Sequence, residues 1–455
     1  MSTLQRLREL MEQRIPDPLT FAVWLTLCMI GLALALTPVS PGELVLQWGA
    51  GLSALLAFTM QMVLIITTAY VLAHTAFIQR GLVRLAKVAK SPTQAYVLVV
   101  LTGAFFSLLS WPLGPISAAL VAREIARDSL SSGLKVHYPL LAAGGFGGFV
   151  VWEMGYSSSI ALAVATEGNP TFSVINRLIP IQDTLLTWWN LLTIGTTLTA
   201  VIVTVLLCHR RMQITAPVIP DDLITPLKID QTKASATQSK HAEHIGEEST
   251  DEKYTGRLLS LLTGVLILSY VLYWFYREGV SLELNIVNWT FLGLGLLLVR
   301  SLPHYSDLFA DGARVASPTL LQYPLYAGIM GIALQSGLAE QFTSQLISIA
   351  TAEALPLLAF LSAGVINIFI PSGGAQWALQ GPSFLEAAKL MEVDLGLITM
   401  SVAYGDQWTN LIQPFTAIPL LALTGLRLKH IYSFMLLLCL TTSFPLMVGL
   451  LLGNS

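Results

Sequence analysis

The chain has 455 residues, 54% of them hydrophobic and only 11% charged, against about 25% charged in a soluble domain. Such a surface would not stay in water, so lipid is the solvent for most of the molecule. A net charge of −3 argues against a nucleic-acid partner.

Residues 1–20 are too long and, with Glu9, Glu12 and Asp17, too acidic for an ordinary signal-peptide n-region, so the apolar run at 21–39 reads as a retained first span. Further apolar runs lie at 51–77, 94–111, 138–165, 184–208, 258–275, 286–299, 320–338, 355–370, 395–425 and 431–453. Most are near the ~20 residues that cross a bilayer. Every backbone polar group there must be satisfied internally, so these runs are helices and the fold class is all-α and polytopic. Cys28, Cys208 and Cys439 all sit in apolar runs without paired spacing. They suggest neither a disulfide nor a metal site, and no cofactor is expected.

Lys and Arg mark cytoplasmic loops. Arg6, Arg8 and Arg14 put the N-terminus inside, the stretch 40–50 has neither residue and is outside, and Arg80, Arg84, Lys87 and Lys90 return the chain inside. Arg123, Arg127 and Lys135 are then also inside, so residues 94–126 read as a re-entrant hairpin folded at Ser110-Trp-Pro-Leu-Gly114-Pro, where prolines break the helix. A broken helix at 138–165 and a span to Arg210 complete a first repeat, residues 1–209. The polar stretch 210–257 reads as a largely disordered cytoplasmic linker.

Residues 258–455 comprise a linking helix and a second repeat. Its hairpin, 355–389, folds at Pro371-Ser-Gly-Gly-Ala-Gln376 and is followed by a broken helix at 395–425. Lys389 is the only Lys or Arg between 355 and 425, so this hairpin enters from outside and the C-terminus ends outside. Gln61 and Gln322 are 261 residues apart, as are Gly103 and Gly364. The opposite orientation of the halves is the inverted repeat of secondary transporters, whose discontinuous helices meet at a midplane binding site.

Broken helices leave N–H ends free for an anion and C=O ends free for a cation. The candidate substrate residues are therefore Ser110 and Gly114; Ser157, Ser158 and Ser159; Ser372, Gly373, Gly374 and Gln376; and Thr409, Asn410 and Gln413. Asp406, Thr409, Asn410 and Gln413 follow i, i+3, i+4, i+7 and form one polar stripe. Small polar residues that only pack helices closely are the structural alternative, and an interhelical hydrogen bond is the alternative for Gln376 with Gln380. Trp377 and Trp408 either line an apolar pocket or pack. Asp406 and Glu153 are the carboxylates deepest in apolar runs, with no Lys or Arg at that depth, and such residues are costly and usually functional. They are the candidate sites for a coupling ion, Na+ or H+.

The strings Leu321-Gln-Tyr-Pro-Leu-Tyr-Ala-Gly-Ile-Met-Gly331, Pro371-Ser-Gly-Gly-Ala-Gln-Trp-Ala-Leu-Gln-Gly-Pro382 and Ala403-Tyr-Gly-Asp-Gln-Trp-Thr-Asn-Leu-Ile-Gln-Pro-Phe415 resemble the bacterial short-chain fatty acid transporter family. That family lies within the ion transporter superfamily, with the divalent anion/sodium symporters. The resemblance implies a multi-pass inner-membrane carrier of short-chain monocarboxylates such as butyrate or acetoacetate. It also implies a scaffold with a moving, elevator-type transport domain, and it leaves room for a homodimer. Where the resemblance leads to a His ahead of the glycine and serines of the first broken helix, this sequence has Glu153.

The expected partners are a small carboxylate and the lipid bilayer, and the expected function is cation-coupled secondary transport. A di- or tricarboxylate carrier on the same fold is the alternative. An intramembrane enzyme needs a nucleophile or base, and no His/Asp or Ser/His pair lies at depth.

Overall fold

The computed structural model describes residues 16–166, 171–227, 250–279 and 283–454. Its regular structure is helical, and one isolated bridge joins His137 to Val218. Helices begin where the sequence supplies caps. α1 (Pro18–Leu36) starts on a proline with Asp17 as N-cap. The Asp17 carboxylate accepts from the Thr20 hydroxyl and from the Thr20 and Leu19 amides, and these donors, the hydroxyl foremost, hold its carboxyl below the ordinary value. α2 (Pro41–Gly51) opens on a Ser40/Glu43 capping box, and α3 (Leu56–Ala73) follows after a short break. The single run expected at 51–77 therefore begins inside α2 and is interrupted before α3.

After α4 (Ala76–Ala86) comes the first hairpin, α5 (Pro92–Leu109) and α6 (Leu113–Ser132). Arg123 and Arg127, read from the charge pattern as loop residues, lie inside α6. Arg127 is buried and paired with Glu124, so as a marker of a cytoplasmic loop it counts for little. α7 (Tyr138–Gly148) runs into a 3-10 turn at Phe149–Met154, and α8 (Ser159–Val164) resumes beyond the Gly155-Tyr-Ser-Ser158 break. A short α9 (Phe172–Ile175) and α10 (Trp188–Arg211) complete this half.

The stretch after α10 differs from the expected disordered linker. The Val218 amide donates to the Val136 carbonyl and the Tyr138 amide to the Val218 carbonyl, both at 2.8 Å. Leu227 is buried, and Asp222 pairs with Arg427 at 3.2 Å. Ile219 and Leu227 give this part apolar surface to bury, which polar composition averaged over the segment conceals. Residues 228–249 lie outside the described residues.

The second half comprises α11 (Thr250–Glu278), α12 (Leu284–Leu298), α13 (Leu302–Gln335), α14 (Leu338–Ser348), a hairpin of α15 (Leu355–Asn367) and α16 (Gly373–Leu390), a broken helix of α17 (Leu395–Asn410) and α18 (Pro414–Thr424), and α19 (Leu428–Gly453). Among the described residues, six helices have the length and apolar composition to cross a bilayer: α1, α3, α5, α10, residues 255–278 of α11, and α19.

Two sets of helices pack among themselves. α3 lies along α13, and each hairpin lies along its own broken helix, α5 on α7 and α15 on α17. Glycine makes the second kind of contact close. A Cβ on Gly103 would sit 2.3 Å from the Gly145 carbonyl oxygen, and one on Gly405 would sit 2.2 Å from that of Phe360; only a residue without Cβ permits either approach. Gly364, 261 residues beyond Gly103, likewise faces its broken helix at Trp408.

Candidate functional site

Four interruptions of helix meet at one cavity of about 190 Å³. The tip of the first hairpin contributes Trp111, and the first broken helix contributes Phe149, Trp152 and Ser159. The tip of the second hairpin contributes Pro371, Ser372, Gly373 and Gly374. The second broken helix contributes Asp406, Asn410, Phe415 and Thr416. Leu55 and Phe58, at the start of α3, close the remaining side. No Lys or Arg lines it.

The N-terminus of α16 opens onto this cavity. Ser372 caps it by accepting from the Ala375 amide at 3.5 Å. The amides of Gly373 and Gly374 are among the first four of the helix and have no intrahelical acceptor. Trp152 is only 6% exposed and its indole N–H has no partner. The cavity wall thus carries a helix N-terminus, a neutral anion-binding feature, beside a lining ring, Trp152, whose buried N–H is unpartnered.

The two deep carboxylates differ. Glu153 is fully buried and well supplied with donors: the Ser158 and Ser159 hydroxyls and the Ile160 amide all donate to it, while its own amide donates to Gln407 Oε1 at 2.9 Å. Gly373 presses against it, since a Cβ there would lie 2.7 Å from Glu153 Oε1 and 2.3 Å from Ser159 Oγ. Glu153 therefore closes the break within its own helix and ties it, through its amide, to the second broken helix at Gln407, with the second hairpin tip packed against it at Gly373.

Asp406 is 1% exposed and poorly supplied. Asn410 Nδ2 reaches its Oδ2 at 3.4 Å, and its Oδ1 has no donor. Around it acceptors outnumber donors. Asn367 Nδ2 alone serves the Asp406 carbonyl at 2.8 Å, Thr409 Oγ1 at 2.9 Å and Asn410 Oδ1 at 2.7 Å. The Gln413 amide donates to the Asn367 carbonyl. Asn367 Oδ1 and Gln413 Oε1 are buried without a donor, like Asp406 Oδ1.

Of the residues singled out from the sequence, Ser159, Ser372, Gly373, Gly374, Asp406 and Asn410 line the cavity. Glu153, Ser158, Thr409 and Gln413 lie in hydrogen-bonded layers behind it. Ser157 stitches the first broken helix to the first hairpin by donating to the Ser107 and Trp152 carbonyls, both at 2.6 Å. Ser110 caps α5. Gly114 allows the two arms of the hairpin to meet, since a Cβ there would lie 1.7 Å from Ser107 Oγ.

Gln376 follows the structural alternative. It donates to the Ala363 carbonyl at 2.8 Å and to Gln380 Oε1 at 3.1 Å, and Gln380 donates to Thr343 and Ser362. Trp408 also packs, stacking on Phe360 and donating to the Cys439 carbonyl, and Trp377 is buried away from the cavity. The aromatic lining residues and Asn367 were missed. Trp111 and Phe415 lie inside strings already singled out and Trp152 adjoins one, whereas Phe58 and Asn367 carry no local signal.

The model of the family described as short chain fatty acid transporter matches residues 2–452. An Escherichia coli (strain K12) protein provisionally named a short-chain fatty acid transporter is 36% identical over 438 residues, covering 96% of each chain. A Haemophilus influenzae protein with the same provisional name is 34% identical over 446 residues, again 96% of each. Among solved structures, the Alcanivorax borkumensis YdaH transporter aligns with TM-score 0.42 and 13% identity over 96% of this chain and 98% of its own. The Neisseria gonorrhoeae MtrF pump aligns with TM-score 0.43 and 14% identity over 98% and 97%. Both scores are too low to bear on substrate or mechanism. The chain is a multi-pass membrane protein, a transporter rather than an enzyme, and it belongs to the short-chain fatty acid transporter family.

Proposed function

We propose that this protein carries small monocarboxylates by cation-coupled secondary transport, with the cavity between the hairpin tips as the substrate site. The observation that carries the reading is the convergence of four helix breaks on one small, largely apolar cavity with neutral anion donors. A cavity of about 190 Å³, below the ~300–1,000 Å³ of drug-sized ligand sites, suits a small substrate. A di- or tricarboxylate would bring further anionic groups into a space with one donor set and no cationic side chain, at a cost of several kcal/mol each.

Asp406 supplies the coupling. A bare carboxylate at that depth costs several kcal/mol, and an ionised Asp406 repels an incoming carboxylate. A cation that neutralises Asp406 must therefore accompany the substrate. The surplus of acceptors around Asp406 favours Na+ over H+, because a hard cation binds several oxygens at once whereas a proton supplies one donor.

The packing supports an elevator-type cycle. α3 and α13 form a paired scaffold, and the hairpins with their broken helices form the moving part, with the cavity at the junction. In the inner membrane the halves then sit as an inverted repeat, each hairpin re-entrant from its own face. Reconstituted protein in vesicles, given a panel of labelled carboxylates under imposed Na+ or H+ gradients, tests the reading. Butyrate should accumulate with the Na+ gradient and succinate should not. Accumulation of succinate in preference to butyrate overturns it.

A further inference from the structure

The polar part of the cavity lining says where a carboxylate goes; the aromatic part says what must follow it. Five rings line the cavity, Phe58, Trp111, Phe149, Trp152 and Phe415, and with Tyr323 behind them they form one connected run. Phe149 stacks on Trp152 at 6.0 Å between ring centres, and Trp152 meets Trp111 at 6.2 Å. Trp111 stacks on Phe58 at 6.0 Å, Phe58 on Tyr323 at 5.7 Å and on Phe415 at 6.2 Å, and Tyr323 on Phe415 at 4.1 Å.

Phe58 is the hub of this run. It touches three other rings, each within about 21° of parallel, so its plane is fixed. It is also the only cavity-lining ring contributed by α3. The other lining rings belong to the first hairpin tip and to the two broken helices.

We propose that Phe58 is the chain-length stop: the carboxylate sits at the α16 N-terminus and Trp152 N–H, the acyl chain lies along the rings, and its end meets Phe58. The wall is flat, apolar and fixed from behind by Tyr323, so methylene groups gain contact and polar groups lose hydration without a partner. This inference rests on the monocarboxylate reading above and adds the residue that sets the upper size limit.

Shortening the ring opens space toward Tyr323, and enlarging it removes space nearest the chain end. One methylene in an apolar pocket is worth about 10-fold or more in specificity. The test is uptake of acetate, butyrate, hexanoate and octanoate by reconstituted full-length protein, read as ratios of Vmax/KM within each variant, so that differences in insertion cancel. Phe58→Ala should raise the hexanoate-to-butyrate ratio by about 10-fold. Phe58→Trp should raise the acetate-to-butyrate ratio. Phe58→Leu should shift in the direction of Ala by less, and it carries the test if the Ala variant fails to insert. Unchanged ratios in every variant that inserts overturn the role of Phe58 while leaving the monocarboxylate reading standing. A wild-type protein that moves none of the four acids sinks both.

Discussion

Asp406 and Glu153 were legible in the sequence as carboxylates out of place, but their difference was not. The donors to the Glu153 carboxylate come from Ser158, Ser159 and Ile160, within seven residues, and the donor to the Asp406 carboxylate is Asn410, four residues on. What local spacing hides is Asn367, from another helix, which donates to the Asp406 carbonyl and to the side chains of Thr409 and Asn410. Asp406→Asn keeps the shape, removes the charge and adds a donor where Oδ1 had none. The expected outcome is normal insertion with loss of gradient-driven accumulation, while exchange of internal for external butyrate persists. Counterflow and net-uptake assays on the same vesicles separate the two, and accumulation with wild-type gradient dependence would make Asp406 structural.

At the scale of elements, the hairpins and broken helices were readable because proline, glycine and serine interrupt otherwise apolar runs, and the breaks lie at 110–112, 155–158, 368–372 and 411–413. The polar stripe on α17 was readable from its 3.6-residue period, and Asp406 and Asn410 from it line the cavity. The aromatic wall was not readable, since its rings come from positions spread between 58 and 415 and no periodicity links them. The order of the chain to residue 227 was missed for a related reason: the Val136–Val218 pairing is non-local. The proposed opposite entry of the hairpins has a direct check in a background lacking Cys28, Cys208 and Cys439. A cysteine replacing Ser110 should react with impermeant reagent from the cytoplasmic face, and one replacing Ser372 from the outer face. Reaction of both from one face alone would end the inverted arrangement.

For the whole molecule, composition and helix length were enough to give an all-α membrane protein, and the long strings around 321, 371 and 403 were enough to suggest the family. Which helices pair across the chain required contacts, because α3 and α13 are brought together only by folding. The acceptor surplus beside Asn367 has a consequence for how the protein melts. Three buried oxygens without donors, Asp406 Oδ1, Asn367 Oδ1 and Gln413 Oε1, each cost about 1–3 kcal/mol, and they join the second hairpin to its broken helix. In the proposed ion-coupled cycle that junction is a weak seam whenever no cation is bound. A cation that binds there only in the folded state, at 100 times its dissociation constant, adds about 2.7 kcal/mol to stability. Detergent-solubilised protein should therefore unfold at a higher temperature in NaCl than in an equal ionic strength of choline chloride, with the increment gone in Asp406→Asn, so that heat alone reports the ion without any transport taking place.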